Sequence, residues 1–310
     1  MELGDVRLNT VAAPTDTPVP RTGGRRGRAL PYLGSLPFFL YVGVFLLLPI
    51  GVLAVEAFRS TDPVTFQETW STDSIVAVTD GAYRRAYLGS LQLSLITAVI
   101  GGILGLALAV AVLQTRRNLL LRRLVLTASG VLANFGGIPL AFAFLATIGN
   151  AGVITALLQD KWGLGLGGFS LYSMTGLALV YLYFLIPLMV LTITPALEAL
   201  RPQWREAADN LGATGWQYWR YVGGPVLAPP VIGATMLLFA SAFAAYATAR
   251  ALVGSSVPLV TLQIANALSS NVVVGSENMG KALALGMVLL IGVVMAFYAW
   301  VQRRTQRWLS

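Results

Sequence analysis

The carboxylates are the side chains of this 310-residue sequence best able to carry catalytic or metal chemistry, because it has no His and no Cys. Without these residues it lacks the commonest general base, the usual zinc ligands and the thiol nucleophile. Glu206 and Asp209 lie three positions apart, which places them on one face of a helix. No companion base accompanies them, and no apolar segment brings two carboxylates together. We therefore predict no catalytic residue, no metal site and no cofactor bound by this chain.

The elements that must position these side chains are membrane-spanning helices. Hydrophobic residues make up 56% of the sequence and charged residues only 11%, whereas a soluble domain carries about 25% charged residues. The formal charge of +8 could indicate nucleic-acid binding, but the basic residues flank apolar runs. We therefore predict a polytopic, all-α integral membrane protein in the lipid bilayer, with no nucleic-acid partner.

Six apolar segments are long enough to cross a bilayer, which takes about 20 residues. They are approximately residues 34–56, 87–113, 124–148, 174–197, 226–250 and 281–301. Residues 33–305 are thus predicted to form one six-helix transmembrane domain. Residues 1–32, rich in Pro, Thr, Gly and Arg, are predicted to be a disordered basic tail.

The distribution of basic residues predicts the orientation of these spans. Fifteen arginines lie in the tails and in the loops after the second and fourth spans, and six basic residues lie on the other side. By the positive-inside rule, both termini are then cytoplasmic.

Polar and aromatic side chains within the spans concentrate in the third and fifth of them. No Asp, Glu, Lys or Arg lies in the core of any span, which argues against a channel or an ion-coupled carrier. The candidates for lining a solute path are Asn134, Phe135, Phe243, Tyr246 and Thr248. They could instead hydrogen-bond between helices. For a solute with ammonium groups, the aromatic rings would supply cation–π contacts.

The loop between the fourth and fifth spans carries the most informative pattern. Pro202 can begin a helix that runs through Trp204–Leu211, and Gly212 suits its C-terminal cap. A second short helix, Trp216 to Tyr221, is predicted to end before Pro225. The alternative is a helix pair that rests on lipid headgroups.

The spacing of this loop resembles the EAA loop of ABC importer permeases. The matching residues are Glu206, Ala207, Ala208, Gly212, Val222 and Pro225, with Gly224 where that family usually has Leu. The resemblance covers about residues 33–305 and implies the methionine-importer-like fold, with residues 198–225 as the loop that couples to an ATPase. The coupling residues it implies are Glu206, Ala207, Ala208, Gly212 and Trp216.

The resemblance also implies the partners and the location. These are a second permease subunit, two ATPase subunits that bind ATP and Mg²⁺, and an extracytoplasmic solute-binding protein, all at a bacterial plasma membrane. The sequence has no phosphate-binding loop of its own, so the chain is expected to be a transport subunit and not an enzyme.

The third and fifth spans are similar to those of the spermidine/putrescine-type subgroup. This implies a small hydrophilic solute, with a polyamine as one possibility. A phosphonate, iron, thiamine or a sugar remains open within the same fold. A membrane interaction protein without transport is the other alternative.

Overall fold

The computed structural model describes residues 30–61, 65, 67–114, 119–162, 169–270 and 275–306. Most of the predicted tail, residues 1–29, therefore lies outside the described residues. The chain divides into two compact units, residues 1–49 and residues 50–310.

The first unit contains helix α1 (Leu30–Val42), a π-helical turn (Gly43–Leu47) and the start of α2 (Leu48–Glu56). Pro49 lies two residues after this turn. A proline ring clashes with the carbonyl four residues earlier, and a wider turn just before Pro49 moves that carbonyl away. The same arrangement recurs later in the chain.

The second unit begins with the rest of α2, and a two-stranded region follows before its long helices. Strands β1 (Arg59–Thr61) and β2 (Glu68–Trp70) form an antiparallel pair in which Arg59 lies opposite Trp70. Helix α3 (Asp73–Val78) follows and packs against the last helix of the chain. This region belongs to the predicted outer loop between the first two spans.

The core of the second unit lies between long helices. These are α4 (Gly81–Gln114), α8 (Met174–Glu198) and α11 (Gly224–Ala244), with α5 (Leu119–Asn134) beside α8. Helices α4 and α8 approach closely at Gly105, where a Cβ would lie 2.5 Å from the Cβ of Met189. Small residues thus set the helix spacing, as expected for membrane helices.

Shorter helices complete the second unit. They are α6 (Ile138–Ile148), α7 (Val153–Trp162), α9 (Pro202–Asn210), α10 (Gly215–Tyr218), α12 (Ala247–Val253) and α13 (Val260–Ser269). A second π-helical turn (Trp219–Gly223) joins α10 to α11, and the last helix of the described residues is α14 (Ser276–Gln306). Helix α13 packs against α14, and α12 packs against α6.

Six helices in the described part of the chain are long and apolar enough to cross a membrane, in agreement with the sequence prediction. They are Leu36–Glu56, Gly81–Leu113, Ile138–Lys161, Met174–Glu198, Gly215–Ala244 and Ser276–Trp300. The third span differs from the predicted 124–148, because the helix is interrupted between α5 and α6. The Gly137 backbone has a φ of +77° there, and Pro139 lies in the first turn of α6.

The fifth predicted span, 226–250, is also interrupted. Helix α11 ends at Ala244, and α12 begins at Ala247. At the other end, the short helix from Trp216 was predicted to end before Pro225, and that prediction is wrong. The helix instead passes through the second π-helical turn into α11.

Gly224 makes this continuity possible. Its N–H donates to the Trp219 carbonyl five residues earlier, and a Cβ on Gly224 would lie 2.6 Å from that oxygen. By the same argument as at Pro49, the wider turn moves the Tyr221 carbonyl, four residues earlier, away from the Pro225 ring. Gly224, where the sequence departs from the pattern it resembles, therefore fits the local geometry.

Candidate functional site

Helix α9 contains the Glu-Ala-Ala sequence and has a well-defined C-terminal cap. Gly212 has a φ of +75° and donates its N–H to the Asp209 carbonyl at 3.0 Å. Ala213 donates to the Ala208 carbonyl, also at 3.0 Å. These two bonds form a Schellman motif, which satisfies the last carbonyls of the helix and requires a left-handed residue at Gly212.

The residue after this cap starts the next helix. The Thr214 hydroxyl accepts a hydrogen bond from the Gln217 N–H at 3.3 Å, and the Gln217 side chain accepts one from the Thr214 N–H at 2.7 Å. This capping box fixes the start of α10. The C-cap of α9 and the N-cap of α10 thus set the angle between the two helices with few residues.

The turn between α9 and α10 presents large side chains to the exterior. Leu211 is 87% exposed and Trp216 is 74% exposed, while Glu206 and Ala207 are also exposed. Tyr221, on the second π-helical turn, belongs to the same exposed set. Neither Tyr221 nor Leu211 was among the predicted coupling residues. We call Glu206, Ala207, Leu211, Trp216 and Tyr221 the loop surface.

A cleft of about 560 Å³ lies behind this loop surface, between α9, α10 and the ends of α4 and α8. The guanidinium of Arg205 lies 4.0 Å from the Asp209 carboxylate and 5.9 Å from the ring centre of Tyr218. Tyr218 is buried, so it connects α10 to the rest of the domain. Nearby, an ion pair between Arg122 and Glu198 joins α5 to the end of α8. The Arg205 side chain thus links α9 to α10, which leads into the long helix α11.

The two breaks in the transmembrane helices meet at a second site. The Gly137 N–H donates to the Thr248 hydroxyl at 2.9 Å, and this hydroxyl can donate to the Gly137 carbonyl at 3.3 Å. At the other break, the Tyr181 hydroxyl donates to the Ala245 carbonyl at 2.9 Å. Side chains therefore satisfy backbone groups that the breaks leave without helical partners, as the low polarity of a membrane interior requires.

The predicted path residues divide into two groups at this junction. Asn134, Phe135 and Tyr246 are exposed, and the Asn134 amide donates to the Gly130 carbonyl at 2.9 Å. Phe243 and Thr248 are buried, and Phe243 stacks on Phe239 at 5.7 Å between ring centres.

Gly137, Tyr181 and Ala245 belong to the junction but were not predicted. The Gly136-Gly137 pair, separated from Pro139 by one residue, was the available signal for the first break. Nothing comparable in the sequence marks the second break.

Solved structures show the same fold as this chain. A bacterial ABC transporter that imports the acidic polysaccharide alginate aligns with a TM-score of 0.66 at 17% identity, covering 90% of this chain and 95% of that one. The MetNI methionine ABC transporter aligns with a TM-score of 0.54 at 17% identity, over 72% and 96% of the two chains. The predicted methionine-importer-like fold is therefore confirmed.

Residues 101–307 match the family described as the inner membrane component of binding-protein-dependent transport systems. Because the match covers more than half of the sequence, the chain belongs to this family of membrane transport components.

Two relatives give the scale of the similarity. The chain is 26% identical to the sulfate transport system permease protein CysT of Escherichia coli, over 64% of this chain and 66% of that protein. It is 29% identical to the thiamine transport system permease protein ThiP of Salmonella typhimurium, over 49% of this chain and 32% of that protein. The alignments thus span less than two thirds of each relative.

Proposed function

We propose that this chain is one of two permease subunits of an ATP-driven bacterial importer for a small hydrophilic solute. The observation that carries the proposal is the geometry of α9. Its C-terminal cap fixes the turn to α10, and the turn exposes Leu211 and Trp216 beside Glu206. Exposed large apolar side chains grouped with a charged one are typical of a protein interface.

The partner at this surface would be an ATPase subunit. Ala207 allows close approach of another backbone, and the Glu206 carboxylate can accept a charge-assisted hydrogen bond from a partner Arg or Lys. ATP and Mg²⁺ would be bound by two such subunits. A second permease subunit would complete the path, and a solute-binding protein would deliver the solute from outside. The basic residues favour cytoplasmic termini, which places the loop surface on the ATPase side.

The solute path would run beside the two helix breaks. Asn134, Phe135 and Tyr246 offer an amide, an aromatic face and a phenol at this junction, and a hydrophilic solute needs such groups in place of water. Phe243 and Thr248, which are buried, would support the path by packing and by the bond to Gly137. When α9 moves with the ATPases, the spans would then rock between inward-facing and outward-facing states.

The names of the relatives give candidate solutes, because they describe permeases for sulfate and for thiamine. The sequence hypothesis of a polyamine finds no support among them. We propose that the path serves a small hydrophilic solute of the kind those relatives carry. Cation–π contacts from Phe135 and Tyr246 would suit thiamine, but they supply no site for sulfate.

Co-purification of the ATPase with the permease tests the proposal. We expect Trp216→Ala to lower the yield of bound ATPase by about tenfold, because central aromatic residues dominate interface energies. Trp70→Ala is the matched control, since Trp70 is 71% exposed but lies in the predicted outer loop. Equal ATPase yields from both variants would contradict docking at α9.

A further inference from the structure

We propose that Arg250 recognises the solute at the outer end of the path, and that the solute is therefore a small anion. This inference rests on the proposed function, because it concerns the path of the permease. It assigns a role to a cation that the sequence places at the estimated end of the fifth span.

Arg250 shares one face of α12 with Tyr246. The Arg250 N–H donates to the Tyr246 carbonyl at 2.8 Å, so the two residues lie one helical turn apart. Both are exposed, while Thr248, Ala249 and Leu252 on the other side of the helix are buried. The exposed face of α12 thus presents a phenol at the helix break and a guanidinium one turn further along.

The guanidinium of Arg250 is positioned by a neutral partner. Its Nη1 donates to the Asn266 side-chain oxygen of α13 at 3.1 Å. By contrast, Arg59 lies 2.9 Å from Glu68 and 3.3 Å from Glu56. Among the described residues, no carboxylate forms an ion pair with Arg250.

This arrangement leaves most of the guanidinium available. Arginine has five N–H donors in a planar fork that matches an oxyanion in two parallel hydrogen bonds. The contact with Asn266 uses one donor and fixes the side chain without neutralising its charge. An anion that enters beside Tyr246 could therefore bind Arg250, whereas a cation such as a polyamine or thiamine would be repelled. Of the two solutes named for the relatives, sulfate is therefore favoured over thiamine.

Uptake by the reconstituted importer, with its ATPases, second permease and binding protein, tests this inference. The probes are radiolabelled sulfate and phosphate as anions and spermidine as a cation. We expect the wild type to take up at least one anion and no spermidine. Arg250→Gln should lower anion uptake by about tenfold, and Arg250→Lys by less, because Lys keeps the charge but loses the fork.

Two further variants separate recognition from folding. Asn266→Asp places a carboxylate beside Arg250 and should lower anion uptake similarly, although the arginine is retained. Arg84→Gln, which removes an exposed charge at the start of α4, should leave uptake within about twofold of wild type.

Anion uptake by Arg250→Gln at the wild-type rate would overturn the inference. So would a wild-type importer that takes up neither anion. In either case, a normal yield of bound ATPase would leave the proposed function intact, because docking depends on α9 and not on α12.

Discussion

Replacing Gly212 with Pro is expected to reduce ATP-driven uptake by about tenfold or more, because Pro cannot adopt a positive φ and has no N–H. The Gly212 backbone has a φ of +75°, and its N–H closes the cap of α9 on the Asp209 carbonyl. Loss of this cap would release the angle between α9 and α10. ATP hydrolysis should then continue without matching transport.

Graded substitutions at the same position make this prediction specific. A Cβ on Gly212 meets no atom within 4 Å, so only the backbone conformation is disturbed. Asn tolerates the left-handed region and should retain most uptake, whereas Ala costs about 1–2 kcal/mol there and should be intermediate. Uptake and ATP hydrolysis would be measured together in proteoliposomes. Normal uptake by Gly212→Pro would show that the cap plays no part in coupling.

Tyr246→Ala is expected to lower uptake without lowering stability, whereas Phe243→Ala is expected to lower stability. Tyr246 is 40% exposed beside the helix break, so its removal should lower uptake by about tenfold and leave the melting temperature nearly unchanged. Phe243 is 2% exposed, and truncating a buried Phe costs about 3–5 kcal/mol in stability. We therefore expect Phe243→Ala to lower the thermal stability of the purified complex.

Matched measurements of complex yield, melting temperature and initial uptake rate distinguish the two roles. If Tyr246→Ala lost stability in step with uptake, Tyr246 would be a packing residue and the proposed path would be wrong. If Phe243→Ala lowered uptake but not stability, Phe243 would influence the solute path through the interruption between α11 and α12.

The sequence was most informative where a local backbone rule applies. Pro202 at the start of α9 and Gly212 at its end were predictable, because a proline fits the first turn and a glycine fits a left-handed cap. The six apolar spans were predictable from length and composition. Both kinds of inference use only the local sequence and require no knowledge of tertiary contacts.

The helix breaks depended on contacts that no local pattern reveals. Ala245 has no turn residue beside it to mark the break, and the Tyr181 hydroxyl reaches its carbonyl from another helix. Phe243 and Thr248 looked alike as path candidates, since composition alone does not show which side of a helix is buried. Continuation through Pro225 was missed because it needs both the π-helical turn, which relieves the clash of the Pro225 ring, and a residue without a Cβ at Gly224.

Photo-crosslinking from the position of Leu211 in intact cells tests the central claim most directly. A photo-crosslinking amino acid in place of Leu211 would be compared with one in place of Trp70, and the captured proteins would be identified by mass spectrometry. We predict that the Leu211 position captures an ATPase subunit and that the Trp70 position does not. Capture of the ATPase from the Trp70 position, or of only extracytoplasmic proteins from the Leu211 position, would contradict both the coupling role of α9 and the proposed orientation.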